Sequence, residues 1–164
     1  MDKKKEAFIT AINEHQGLIG KVASIYTNSV EDRNDLVQEI IYQLWRSVDS
    51  FDQRSALSTW MYRVAMNVAI YHFKASKRKV RTVPFDSTLL NAGDINNHEA
   101  EEKWMVFKQH INKLNLLDKG IVLLYLENKS YEEIGQVIGI SASNVGTKLS
   151  RIREKLKQQI SKKR

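Results

Sequence analysis

The side chains best placed to do chemistry fall between residues 143 and 151. Ser143, Asn144, Thr147, Lys148 and Arg151 recur at intervals that place them together on one face of a helix. Their chemistry is recognition. Short hydroxyls and amides exchange hydrogen bonds with base edges, and lysine and arginine meet guanine edges or phosphates. Arg153, Lys155 and Lys157 suit backbone contact or solvent. Covalent and metal chemistry find little support. The four histidines, at 15, 72, 98 and 110, lack metal-ligand spacing and read as solvated or half-buried. No Gly-rich phosphate loop or nucleophile elbow is present. Neither a catalytic residue nor a metal ligand or cofactor is expected.

The elements that would position this face are written into residues 130–153, SYEEIGQVIGISASNVGTKLSRIR, which read as a helix-turn-helix. Ser130 and Glu133 form a capping box that starts a helix, and carboxylates such as Glu132 and Glu133 suit its N-terminal electrostatics. Gly135 puts a bare backbone where a second helix crosses closely, and Gly139 permits the positive φ that ends the first helix. Ser141 caps a second helix, the recognition helix over 142–155. Val145, Leu149, Ile152 and Leu156 are its buried stripe. The alternative is an ordinary two-helix hairpin with a solvated polar face.

Charge is distributed in blocks. Residues 53–85 hold seven Lys/Arg and no Asp or Glu, residues 86–102 hold five Asp/Glu and no Lys/Arg, and residues 146–164 hold eight Lys/Arg against Glu154. Two basic blocks around an acidic spacer predict two surfaces that meet a polyanion, with a connector repelled by it. With 42% hydrophobic residues, one proline and seven glycines in 164 residues, the chain can bury real cores and is expected to be all-α. It has no cysteine, which excludes disulfides and thiolate metal sites and fits a reducing cytoplasm. No signal peptide or membrane-spanning run is seen, so a soluble cytoplasmic protein without membrane insertion is expected.

A first helical domain is expected over 5–79. Leu18, Ile19, Val22, Ala23 and Tyr26 form one stripe, and Asn28 or Ser29 can cap the next helix. Leu36, Val37, Ile40, Ile41, Leu44 and Trp45 recur in pairs four apart as a broad buried face. After a break at 48–58, Trp60, Met61, Val64, Ala65, Val68 and His72 make a third set, with Trp60 in the core. Arg63, Asn67 and Lys74 claim the exposed side of that helix. Residues 80–100, with the proline, read as a linker, in which Leu89 and Leu90 either dock on a neighbour or do not. The second domain spans 101–164. Val106, Ile111, Leu114, Leu117, Ile121, Val122, Leu124 and Tyr125 cradle its helix-turn-helix, and the tail SKKR adds nonspecific attraction.

Three stretches, DLVQEIIYQLWRS (35–47), FDQRSALSTWMYRVAMNVAIYHF (51–73) and the helix-turn-helix with KLSRIREKL (148–156), occur together and in order. On these the chain resembles a bacterial RNA polymerase sigma factor of the extracytoplasmic-function (group 4) type. The resemblance implies a three- to four-helix region 2 domain and a helix-turn-helix region 4 domain. It implies that Asp35, Leu36, Gln38 and Glu39 grip the β′ coiled coil of core RNA polymerase, with the β flap as a further docking point. The acidity of residues 31–52, six Asp/Glu against two Lys/Arg, is the wrong sign for DNA. The loop from Phe51 to Ser58 and Asn67 would open the promoter −10 element and hold an extruded base. Phe51, Ser55 and Asn67 would supply stacking and edge contacts, and Arg54, Arg63 and Lys74 would hold phosphates. Tyr71 stands where many family members carry an acid. The recognition helix would read the −35 duplex, and an anti-sigma factor is an expected partner. A stand-alone helix-turn-helix regulator is the rival reading.

Overall fold

The computed structural model describes residues 3–51, 54, 56–77 and 98–161. Among them are eight α-helices and one 3₁₀ turn, with no strand. The chain divides into two compact units, residues 1–89 and 90–164.

In the first unit, α1 (Lys3–Glu14) leads into α2 (Gln16–Tyr26), α3 (Val30–Ser47) and α4 (Leu57–Lys77). Of the two cap candidates, Ser29 is the one used: its hydroxyl accepts from the Asp32 amide at 3.1 Å. The stripes expected on α2 and α3 pack inward as helices α2, α3 and α4 close on one another, with Leu18, Ile19, Val22, Ala23, Tyr26, Leu36, Ile40 and Leu44 all buried. Arg33 reaches back from α3 to donate to the Ser24 hydroxyl at 3.0 Å.

Two expectations change here. Trp45 is 40% exposed rather than core, and its ring meets Phe8 of α1 edge-on at 5.1 Å. The buried face of α4 is also rotated. Thr59, Met61, Tyr62, Ala65, Met66 and Ala69 are inside, while Trp60, Val64, Val68 and His72 are only half-buried at the rim. Helix α4 packs against both α2 and α3, so its buried set is the side chains that face those two helices rather than the bulkiest apolar ones.

The second unit holds α5 (His98–Ile111), α6 (Leu116–Leu126), α7 (Tyr131–Ile138) and α8 (Ala142–Ser161). Helix α5 begins within the stretch expected to be linker; the rest of that stretch, with Leu89 and Leu90, lies outside the described residues. Ile111, Leu114, Ile121, Val122, Leu124, Val145, Leu149 and Ile152 form the core, and Leu156 is half-buried. Val106, Leu117 and Tyr125 do not join it, being 55%, 42% and 39% exposed. The apolar pattern on α5 and α6 is wider than the face that packs, and Tyr125 sits at the edge of that face, against Arg153 of α8. His110 is buried, beyond the solvated or half-buried state expected of the histidines, its Nδ1 3.3 Å from Gln159 Oε1, which ties α5 to the end of α8.

Candidate nucleic-acid interface

The turn that presents α8 is built as its residues require. Ser130 Oγ accepts from the Glu133 amide and Glu133 Oε1 accepts from the Ser130 amide, both at 3.1 Å, closing the capping box. These Ser130 bonds, with Lys129 Nζ 3.9 Å away, hold the Glu133 carboxyl below its ordinary value of 4.5. A lowered carboxylate pKa contributes stability that is complete above the unfolded value and disappears as pH falls through the folded one. Thermal melting of the wild type and Glu133→Gln should therefore differ at pH 7 and converge as pH falls through the folded-state value, which lies below 4.5. A gap that does not change with pH would contradict a contribution from the carboxylate's charge.

Gly139 takes φ +91°, ending α7 in the left-handed region. A Cβ on Gly135 would lie 2.5 Å from the Ile140 carbonyl oxygen and 3.6 Å from the Ala142 nitrogen. The close approach is thus the turn itself and the start of α8. Ser141 Oγ accepts from the Asn144 amide at 3.1 Å and starts α8.

On α8, Ser143, Asn144, Thr147 and Arg151 are exposed along one stripe, opposite buried Val145, Leu149 and Ile152. The Thr147 hydroxyl donates to the Ser143 carbonyl at 3.2 Å and remains exposed. Lys148 sits on the flank, half-buried, its Nζ 4.0 Å from Asp118 Oδ1 on α6. Arg153 is exposed, and it also donates to the Tyr125 hydroxyl at 2.7 Å with its guanidinium 5.2 Å from that ring. It pins α8 to α6.

In the first unit, Arg63, Asn67 and Lys74 are exposed along one side of α4, a helix without a single Asp or Glu. Tyr71, 77% exposed, fills the turn between Asn67 and Lys74. Phe51 packs on Trp60 with centroids 5.3 Å apart, and Arg54 is exposed near the same loop. Ser55 lies outside the described residues.

The α3 surface is of another kind. Asp35, Gln38 and Glu39 are exposed, and Glu39 Oε1 accepts from Gln43 at 3.4 Å. Leu36 does not share this surface. It is 0% exposed, in the core between helices, so its part is to hold α3 in place rather than to touch a partner. One residue on the face was missed: Tyr42, 53% exposed one turn beyond Glu39, with Arg46 5.8 Å from its ring. The signal was present, since 35, 38, 39 and 42 share a helical face. Neighbouring Ile41, Leu44 and Trp45 masked it as one more apolar residue.

Two helical units, a capped helix-turn-helix and an acid-free basic helix define a DNA-directed transcription protein. The family model for Sigma-70 region 2 matches residues 11–79 and that for Sigma-70, region 4 matches residues 106–156. The chain belongs to the sigma-70 family and is of the ECF type. It is 29% identical over 170 residues to the ECF RNA polymerase sigma-E factor of Haemophilus influenzae, covering 95% of this chain and 88% of that protein. Against the ECF RNA polymerase sigma factor SigW of Bacillus subtilis it is 26% identical, covering 95% and 90%. Among solved structures, the fold is shared with the sigma factor RpoE in complex with the anti-sigma factor NepR from Bartonella quintana. That match has TM-score 0.72 and 18% identity over 97% of this chain and 99% of the other. CnrH, in complex with the cytosolic domain of CnrY, gives TM-score 0.71 and 20% identity over 96% and 89%.

Proposed function

We propose that this chain is a promoter-specificity subunit that binds core RNA polymerase and directs it to initiate at its own set of promoters. The observation that carries the reading is the pairing, in one short chain, of an acidic face on α3 with two cationic helices, α4 and α8. A stand-alone operator-binding protein has no use for the first of these.

In this reading Asp35, Gln38, Glu39 and Tyr42 dock on the polymerase β′ coiled coil. An exposed tyrosine beside carboxylates supplies an anchor, and the charges set register and partner choice. Phe51, Arg54, Ser55, Arg63, Asn67 and Lys74, joined by Tyr71, hold the opened −10 strand. Unstacking a base costs a few kcal/mol, which aromatic stacking and edge hydrogen bonds recover. Strand opening then draws on binding energy, without nucleotide hydrolysis by this chain. Ser143, Asn144, Thr147, Lys148 and Arg151 contact the −35 duplex. Such a factor works in the cytoplasm and is held inactive by an anti-sigma protein. No helix among the described residues is long and apolar enough to cross a membrane.

Arg151→Ala separates the surfaces. It should weaken −35 recognition by about tenfold or more, the scale of one good base contact. Capture of core polymerase should be unchanged. Promoter affinity of the reconstituted holoenzyme and polymerase binding, measured side by side, check this. Joint loss of both would contradict the division of labour.

A further inference from the structure

We propose that Asp118 is a positioning residue that fixes Lys148 as a backbone-phosphate clamp, so that sequence reading falls to the exposed stripe of α8. The inference rests on α8 being the −35 reader.

Asp118 lies in the first turn of α6, where its amide donates to the Asn115 side chain at 2.9 Å. Its carboxylate is nine-tenths buried, and Oδ1 has no hydrogen-bond partner. The Lys148 ammonium stands 4.0 Å from that oxygen, close enough for charge but beyond a hydrogen bond. A buried carboxylate that loses its cation is strongly destabilising. Lys148 therefore cannot swing to a base edge without orphaning Asp118.

The pair opens onto a cavity of about 190 Å³ lined by Asn115, Asp118, Lys148, Arg151, Ile152 and Lys155. Three cations face one carboxylate there, so the lining retains a net positive charge of two. Lys148 and Lys155 lie two turns apart on the flank of α8, a cationic row beside the exposed stripe of Ser143, Asn144, Thr147 and Arg151. A row beside a reading face, anchored from behind by a buried acid, suits the phosphates that border the major groove. It does not suit the bases inside it.

The test uses reconstituted holoenzyme, a promoter series with each −35 base pair changed in turn, and several salt concentrations. Lys148→Gln should lower affinity by a similar factor for every promoter and reduce the salt slope by about one. In an Asp118→Asn background the same substitution should lose most of its effect, and Asp118→Glu should restore it. Thermal melting accompanies each variant. If Asp118→Asn fails to fold, the pattern of Lys148→Gln across the series still decides. A Lys148→Gln effect confined to one base pair, or effects at 118 and 148 that simply add, would overturn the proposal. If the wild type shows no −35 preference at all, the reading of α8 itself fails, and that result is distinct from either pattern.

Discussion

Replacing Gly135 with valine should collapse the second unit's DNA-reading surface. The Cβ it introduces would sit 2.5 Å from the Ile140 carbonyl oxygen, and that obstacle is backbone, not the end of a flexible side chain. The turn between α7 and α8 has no slack to yield. Gly139 already fixes it in the left-handed region, the Gly139 and Ile140 amides both donate to the Gly135 carbonyl, and Ser141 caps α8 immediately afterwards. Overpacking of this kind costs about 3 kcal/mol, and valine regains only a few tenths from its better helix propensity. For a unit of this size that is a fall in melting temperature of roughly 12 °C or more. Gly139→Ala has open space around its Cβ and meets only the strain of φ +91°, about 1 kcal/mol, so it should fall between Gly135→Val and the wild type. Circular dichroism melts of the three chains check the ranking. Equal stability of Gly135→Val and the wild type would show that the turn is not the close contact described.

Charge reversal on α3 should produce the second large effect, on binding rather than folding. Glu39 is exposed, one turn from Tyr42, and its local partner is Gln43, so lysine there disturbs no core. The substitution replaces an attraction across the proposed polymerase contact with a repulsion. The expected outcome is about tenfold or greater loss of core polymerase affinity, largest at low salt. Binding of isolated −35 duplex should change little, because α8 belongs to the other unit. Competition of Glu39→Lys against the wild type for a limiting amount of core polymerase reads the effect. Equal competition would remove α3 from the docking surface.

These two experiments probe regions that differed in how far the residues alone revealed them. The helix-turn-helix was legible because each of its positions demands a particular residue type: hydroxyl and carboxylate for the capping box, glycine for the left-handed turn, serine for the next cap. Helix α3 was legible through Leu36, Ile40 and Leu44, whose spacing admits one buried face. Helix α4 was misphased because apolar residues cover most of its circumference. Met61 and Ala65 are buried as expected, but packing against two helices adds Tyr62, Met66 and Ala69 to them and leaves Trp60, Val64 and Val68 at the rim. Trp45 was misplaced because its partner, Phe8, lies in a polar segment that gives no hint of contact. The pairs Asp118–Lys148 and Tyr125–Arg153 join residues about thirty positions apart, and no local pattern announces them. Their consequence is specific. Of the cations on α8, Lys148 and Arg153 are held by α6.

The most direct measurement is transcription in vitro by purified core polymerase, with and without the chain, on genomic fragments, with start sites mapped. The account predicts transcripts that appear only when the chain is added, from start sites preceded by a shared pair of promoter elements at fixed spacing. It further predicts that Arg151→Ala abolishes most of them while polymerase capture persists. An unaltered set of start sites, with core polymerase failing to retain the chain, would contradict it.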